Sequence, residues 1–322
     1  MKIGVVGCGA LGSYYGAKLC RAGGEVHFLL RSDYEAVRRR GVQIRSVEGD
    51  FHVNPKCACA PEQIRVCELV LIGLKTTAND QLPKLIPPLI GRRTAVMTLQ
   101  NGLGNETRLA ALVGAEKVLG GLCFVCLNRV EPGVVHHLAH GTIVMGEYQR
   151  WPEPRTQDIA SLFRHAGVPC KVTDNLERAH WEKLVWNIPF NGLGVASAAG
   201  YDVLVNQPST PCLPRSVGQC LATDKLLADP RWENLARELM LEVIAAANAL
   251  GLKIPESVAE KQIARTRTMG AYKASTLIDF ERRQPLELES MFLEPLRQAQ
   301  KAGVCAPRLA ALCKVLKQLD PP

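Results

Sequence analysis

The 322-residue sequence predicts an α/β chain, with a parallel sheet covered by helices in its first half and an all-α region in its second. Two observations carry this prediction. Continuous apolar runs at residues 1–7, 25–30, 68–73 and 94–99 alternate with helical segments, as strands buried on both faces do. From about Asn175 the pattern changes to long helical stretches with no competing strand. The expected boundary lies at 174, giving domains 1–174 and 175–322.

The first strand runs into Gly7-Cys8-Gly9-Ala10-Leu11-Gly12, a GxGxxG turn placed where a helix starts. Such a turn cradles a dinucleotide pyrophosphate. Gly7 serves the tight turn, Gly9 the close approach of backbone to phosphate, and Gly12 the helix–strand packing. The helix N-terminus adds unpaired N–H groups and positive dipole. The second strand, 25–30, ends near the adenosine ribose, where NAD-specific sites hold an Asp or Glu. Here Arg31-Ser32 follows, and a guanidinium suits a 2′-phosphate that a carboxylate would repel. The reading is NADP(H), with Asp33 keeping NAD as the alternative.

Further along, residues 79–86 and 105–113 read as helices, 134–137 and 142–145 as a hairpin, and 171–173 as a closing strand. Helical segments follow at 176–186, 232–250, 257–269 and 291–302. Between them, 201–229 holds Pro208, Pro211 and Pro214 without periodicity and reads as a long loop or lid.

Composition is that of a globular enzyme, with 47% hydrophobic and 22% charged residues. The net charge of +8 suits anionic ligands, while Arg38-Arg39-Arg40, the densest basic run, sits at a helix end and complements its dipole. No nucleic-acid motif, membrane span or signal peptide is found, so a cytoplasmic location is expected. The 12 cysteines show no disulfide-scaffold spacing. Cys123 and Cys126 form a single CxxC near His136, His137 and His140, but they lie in an apolar strand-like run, and no metal site is expected.

The segment 181–191 carries the chemistry of the second half. Lys183, Asn187 and Asn191 are spaced four apart and form one helical stripe, while Leu184, Val185, Trp186, Ile188 and Phe190 cover the rest. A helix that apolar is buried, so its polar stripe must face a polar cleft. Pro189 should kink it. A lysine whose pKa is lowered by partial burial is a usable general acid for a reduced carbonyl, oriented by a carboxylate. Asp279, Glu281, Glu287 and Glu289 are the candidates, among which spacing does not choose.

Together, GCGALG, Leu74-Lys75, Gln100-Asn101-Gly102-Leu103-Gly104, Pro132-Gly133 and the Lys183/Asn187/Asn191 helix resemble the ketopantoate reductase family along nearly the whole chain. The resemblance implies an N-terminal Rossmann-type doubly wound sheet with an all-α C-terminal domain. It also implies NADPH as cofactor and reduction of a small 2-oxo acid, 2-dehydropantoate, to pantoate on the route to coenzyme A. By position, Lys183 resembles the proton donor and Glu287 the glutamate of the catalytic site. Asn187, Asn191 and Ser275 resemble substrate contacts, and Arg31, Lys75 and Asn101 cofactor contacts. Ala274-Ser275 and Leu286-Glu287-Leu288-Glu289 depart from the family's usual Ser-Ser and Thr-Glu-Ile-Asp. Those departures leave open another 2-oxo acid in the same fold, or a non-catalytic NADP(H)-binding sensor. Family members occur as monomers and dimers, so a homodimer is compatible with the resemblance.

Overall fold

Contacts divide the chain into two units, Met1–Leu176 and Glu177–Pro322. The computed structural model describes residues 1–206 and 218–320. The first unit runs β1 (Lys2–Val6), α1 (Ala10–Arg21), β2 (Glu25–Leu29), α2 (Tyr34–Arg40), β3 (Val42–Ser46), β4 (Phe51–Val53), β5 (Lys56–Ala58) and α3 (Pro61–Ile64). It continues with β6 (Leu69–Ile72), α4 (Leu82–Leu85), β7 (Ala95–Thr98), α5 (Asn105–Val113), β8 (Val118–Glu131), β9 (Val134–Glu147), α6 (Pro154–His165) and β10 (Cys170–Val172). All ten strands join one sheet in the order β4-β3-β9-β8-β7-β6-β1-β2-β5, with β10 beside β9.

The continuous apolar runs are explained by the two layers that cover the central strands. Ile3, Val5, Leu69, Leu71 and Met97 enter one buried cluster, and Val6, Val70, Ile72 and Val96 enter another. Alternate residues of a strand point to opposite faces, so both faces must be apolar. β1 pairs in parallel with β2 and β6, β6 with β7, and β7 with β8. The ends of these strands therefore gather along one edge of the sheet.

The hairpin read at 134–145 is corrected. Both of its arms belong to the single strand β9, antiparallel to β8, and the hairpin turn is Pro132-Gly133. What resembled a turn is a bulge. His140 (φ +64°) and Gly141 (φ +140°) interrupt the β8–β9 register without reversing the chain. β9 also pairs with β3, and α1 packs against β1, β2, β3, β4, β8 and β9. That surround buries Tyr14, Tyr15 and Lys18. His137, on β9, has Nε2 2.7 Å from the His140 carbonyl oxygen, which can only accept, so Nε2 carries the proton. Nδ1 then accepts from Ser46 Oγ at 2.8 Å, giving this histidine a structural place.

The second unit comprises α7 (Leu176–Ala196), which begins one residue before it, α8 (Tyr201–Val205), α9 (Thr223–Ala228), α10 (Pro230–Ala249), α11 (Ser257–Arg267), α12 (Ser275–Glu281), α13 (Glu294–Lys301) and α14 (Pro307–Leu319). α7 continues past Pro189. The long-loop reading of 201–229 is corrected at both ends, where α8 and α9 stand; Pro208, Pro211 and Pro214 lie outside the described residues. The helix read at 79–86 is likewise a 3-10 stretch, Thr76–Gln81, leading into the short α4. No described helix is long and apolar enough to cross a membrane.

Candidate active site

The glycine turn is built by backbone contact. Gly7 has φ +93°, and a Cβ there would lie 2.2 Å from the Leu74 nitrogen. A Cβ on Gly12 would lie 2.2 Å from the Gly7 carbonyl oxygen. Gly73 closes the same contact, its added Cβ falling 2.9 Å from the Gly12 Cα. Gly9 differs. A Cβ on it meets nothing within 4 Å, so the space over Gly9 is open. Gly9 is the N-cap of α1, has no side-chain cap and is followed by no acid in the first turn. The N–H groups at Ala10 and Leu11 thus begin a 12-residue helix with neither a capping oxygen nor a nearby carboxylate. These residues fit a bound pyrophosphate.

Cys8 is a packing residue. Its thiol donates to the Val5 carbonyl oxygen at 3.5 Å, and its own carbonyl accepts from Ser13 Oγ at 2.9 Å. Burial pushes the thiol well above the ordinary range, with Cys57 and Asp33 adding to the shift.

The other cofactor candidates occupy the ends of neighbouring parallel strands, Arg31 after β2, Lys75 after β6 and Asn101 after β7. Ligands of open α/β sheets bind at these carboxyl ends. Arg31 is exposed, and its side chain makes no hydrogen bond or ion pair among the described residues. Asp33 is buried, and both of its carboxylate oxygens accept from Arg129 Nη1, at 2.9 and 2.8 Å. Lys75 follows Gly73-Leu74, the segment in contact with the glycine turn.

A buried chain of amides joins the Lys75 and Asn101 loops. Gln100 Nε2 donates to Asn79 Oδ1 at 2.7 Å, Asn79 Nδ2 to Asn105 Oδ1 at 3.1 Å, and Asn105 Nδ2 to the Asn101 carbonyl at 3.0 Å. Gly102 (φ +85°) and Gly104 (φ +83°) bend the Asn101 loop into the left-handed region, where other residues are strained. Asn79 and Asn105 were missed from the sequence because their partners are remote in it. The polar residues framing strand 94–99 were the available signal.

In the second unit, α7 carries the polar stripe. Trp181, Leu184, Val185, Ile188 and Phe190 are at most 1% exposed, as its apolar composition requires. Lys183 is half-buried. Asn187, one turn on, is 7% exposed, and its side chain makes no hydrogen bond among the described residues. Asn191 Oδ1 accepts from Ser275 Oγ at 3.2 Å and from the Thr276 backbone N–H at 3.1 Å. The latter fixes the amide orientation, because an N–H needs an oxygen acceptor. Asn191 thereby holds the start of α12, and its Nδ2 is left without a protein partner among the described residues. Glu287 is buried at 8%.

A glycine cradle at the head of a parallel βαβ unit, with cations at the neighbouring strand ends, defines the class as a dinucleotide-binding α/β protein. A helical unit bearing a lysine–amide stripe accompanies it. Residues 3–150 match the family model Ketopantoate reductase PanE/ApbA, and 215–320 match Ketopantoate reductase PanE/ApbA C terminal. The chain belongs to the ketopantoate reductase family, whose cofactor is NADPH. It is similar to a 2-dehydropantoate 2-reductase of Nostoc sp., 39% identical over 99% of this chain and 95% of the relative. Among solved structures it is similar to 2-dehydropantoate 2-reductase from Geobacter metallireducens GS-15, 45% identical with a TM-score of 0.88 and 99% of each chain covered. The enzyme of that description from Methylococcus capsulatus is 31% identical, with a TM-score of 0.87 over 99% of this chain and 96% of that one.

Proposed function

We propose that this chain reduces 2-dehydropantoate to pantoate with NADPH, using Lys183 as proton donor. The observation that carries the site assignment is Asn187, a residue 7% exposed whose side chain has no hydrogen-bond partner among the described residues, one helical turn from Lys183.

Bound NADPH supplies a hydride to the C2 carbonyl carbon. As negative charge grows on the oxygen, Lys183 Nζ gives it a proton, so C=O gains one hydride and one proton and becomes CH–OH. The neutral amine then recovers a proton from solvent, which its half-buried position permits. Asn187 Nδ2 donates to a substrate oxygen. The Asn191–Ser275 pair offers a carboxylate the Asn191 Nδ2 hydrogens, since the Ser275 hydroxyl proton is engaged by Asn191 Oδ1. Glu287 orients the ammonium. Gly7, Cys8, Gly9, Ala10, Leu11 and Gly12 hold the pyrophosphate, Arg31 the 2′-phosphate, and Lys75 and Asn101 the remainder of the cofactor. Residues 1–174 bind NADP(H) and 175–322 supply substrate and catalytic groups, a division two residues before that of the units. The reading extends to a cytoplasmic enzyme, with a homodimer visible by light scattering as twice the 35.2 kDa chain mass.

The test is NADPH oxidation with 2-dehydropantoate beside a panel of 2-oxo acids, for the wild type and Lys183→Ala. The expected result is a fall in kcat of about 10²–10⁴ in the variant, with NADPH affinity retained. Tight NADPH binding without turnover of any acid would make the chain a sensor. Faster turnover of a different acid would reassign its substrate.

A further inference from the structure

The acid at the end of β2 is masked. Asp33 follows the end of β2 by four residues, at the N-cap of α2, close in sequence to where a dinucleotide site holds a carboxylate to accept from the ribose 2′-OH of NAD. Here its side chain is 6% exposed, and both oxygens accept from Arg129 Nη1. Ser32 Oγ donates a further hydrogen bond to Oδ1 at 3.1 Å. Arg129 comes from the far end of β8, beside the hairpin turn, so a remote element reaches back to the end of β2. Two residues from Asp33, Arg31 is exposed and without an ion pair among the described residues.

We propose that Arg129 is a positioning residue for cofactor choice, holding the Asp33 carboxylate so that Arg31 is left to the 2′-phosphate. This rests on the reading of Arg31 given above. A released Asp33 has two ways to change the preference. It can pair with Arg31, its nearest cation in sequence, and withdraw it from the phosphate. It can also turn toward the ribose, where it accepts from a 2′-OH and repels a 2′-phosphate. Both disfavour the phosphorylated cofactor, and the second favours NADH. A guanidinium suits the task because it stays charged at any working pH and donates along fixed directions. Its side chain is 44% exposed, so it can be replaced without opening a core cavity.

The experiment measures Kd for NADPH and NADH by fluorescence on the full chain, for the wild type, Arg129→Gln, Arg129→Gln with Asp33→Asn, Asp33→Asn alone, and Arg31→Ala, each with a melting curve. Arg129→Gln is expected to narrow the NADPH-over-NADH preference about tenfold or more, and adding Asp33→Asn to restore it. A merely structural pair would weaken both cofactors alike, leaving the ratio unchanged, and would overturn the proposal. Asp33→Asn alone, which needs no folded Arg129 variant, should leave NADH binding unchanged; a tenfold loss would show that Asp33 already touches the ribose and would also overturn it. Arg31→Ala separates the two levels. If it leaves the preference intact, the reading of Arg31 fails. If it abolishes the preference while Arg129→Gln does not change it, only the role of Arg129 fails.

Discussion

Gly9 and Gly12 stand three residues apart in one turn, yet the space around them assigns them different work. A methyl on Gly12 collides with the Gly7 carbonyl at 2.2 Å, a backbone atom that cannot move without dismantling the turn. A methyl on Gly9 meets no protein atom within 4 Å, and its φ of −73° is negative, as in ordinary L-residues, with ψ −154° just past the extended region. Gly9→Ala should therefore melt within about 0.5 kcal/mol of the wild type. It should nevertheless lose at least about tenfold in NADPH affinity, roughly 1.4 kcal/mol, because the methyl occupies the space where the phosphate approaches. Gly12→Ala should lower both stability and binding. Isothermal titration beside calorimetric melting checks the pair, and unchanged NADPH affinity in Gly9→Ala would remove the phosphate from this cradle.

At the scale of elements, the amide chain Gln100–Asn79–Asn105 ties the stretch after Lys75 to the loop holding Asn101 and to the start of α5. Asn79→Ala removes the acceptor of Gln100 Nε2 and the donor to Asn105 Oδ1, two buried hydrogen bonds worth about 0.5–1.5 kcal/mol each. The two loops then lose their common anchor. The expected kinetics are a several-fold rise in KM for NADPH with kcat within about twofold, since Lys183 is untouched; a fall in kcat at constant KM would contradict the anchoring role. This chain of amides also marks the limit of what could be read from sequence. The glycine turn was legible because its whole function lies in six consecutive residues, and the central strands because burial on both faces writes a continuous apolar run. Asn79 with Gln100 and Asp33 with Arg129 are pairings across the fold, and no local pattern announces them. α14 was missed for a similar reason. Its N-cap position is Ala306, a poor capping residue, and the cap comes from Glu242 of α10, which accepts from the Arg308 and Leu309 N–H groups at 2.8 Å.

For the molecule as a whole, the cysteines set an alkaline limit. Every described cysteine is a free thiol, and several serve as small core residues. Burial pushes Cys67 and Cys170 up to about 11 and Cys313 to about 12, against an ordinary 9.0, with weaker opposing effects from Lys2, Arg164 and Lys317. The folded chain thus keeps protons that the unfolded chain releases. A raised folded-state pKa contributes stability that is fully present below pH 9 and is lost progressively as the pH rises from there toward 11–12. Each such thiol steepens the loss by up to about 1.4 kcal/mol per pH unit within that window. The Tm should hardly change from pH 7 to 8.5 and fall increasingly steeply from pH 9 to 10.5. Cys313→Ala should lower the Tm at pH 7, because it leaves a cavity beside Phe292. It should also flatten the alkaline slope by one thiol's share. A slope unchanged in Cys313→Ala would show that this thiol ionises alike in the folded and unfolded chains, and would assign the alkaline limit to other groups.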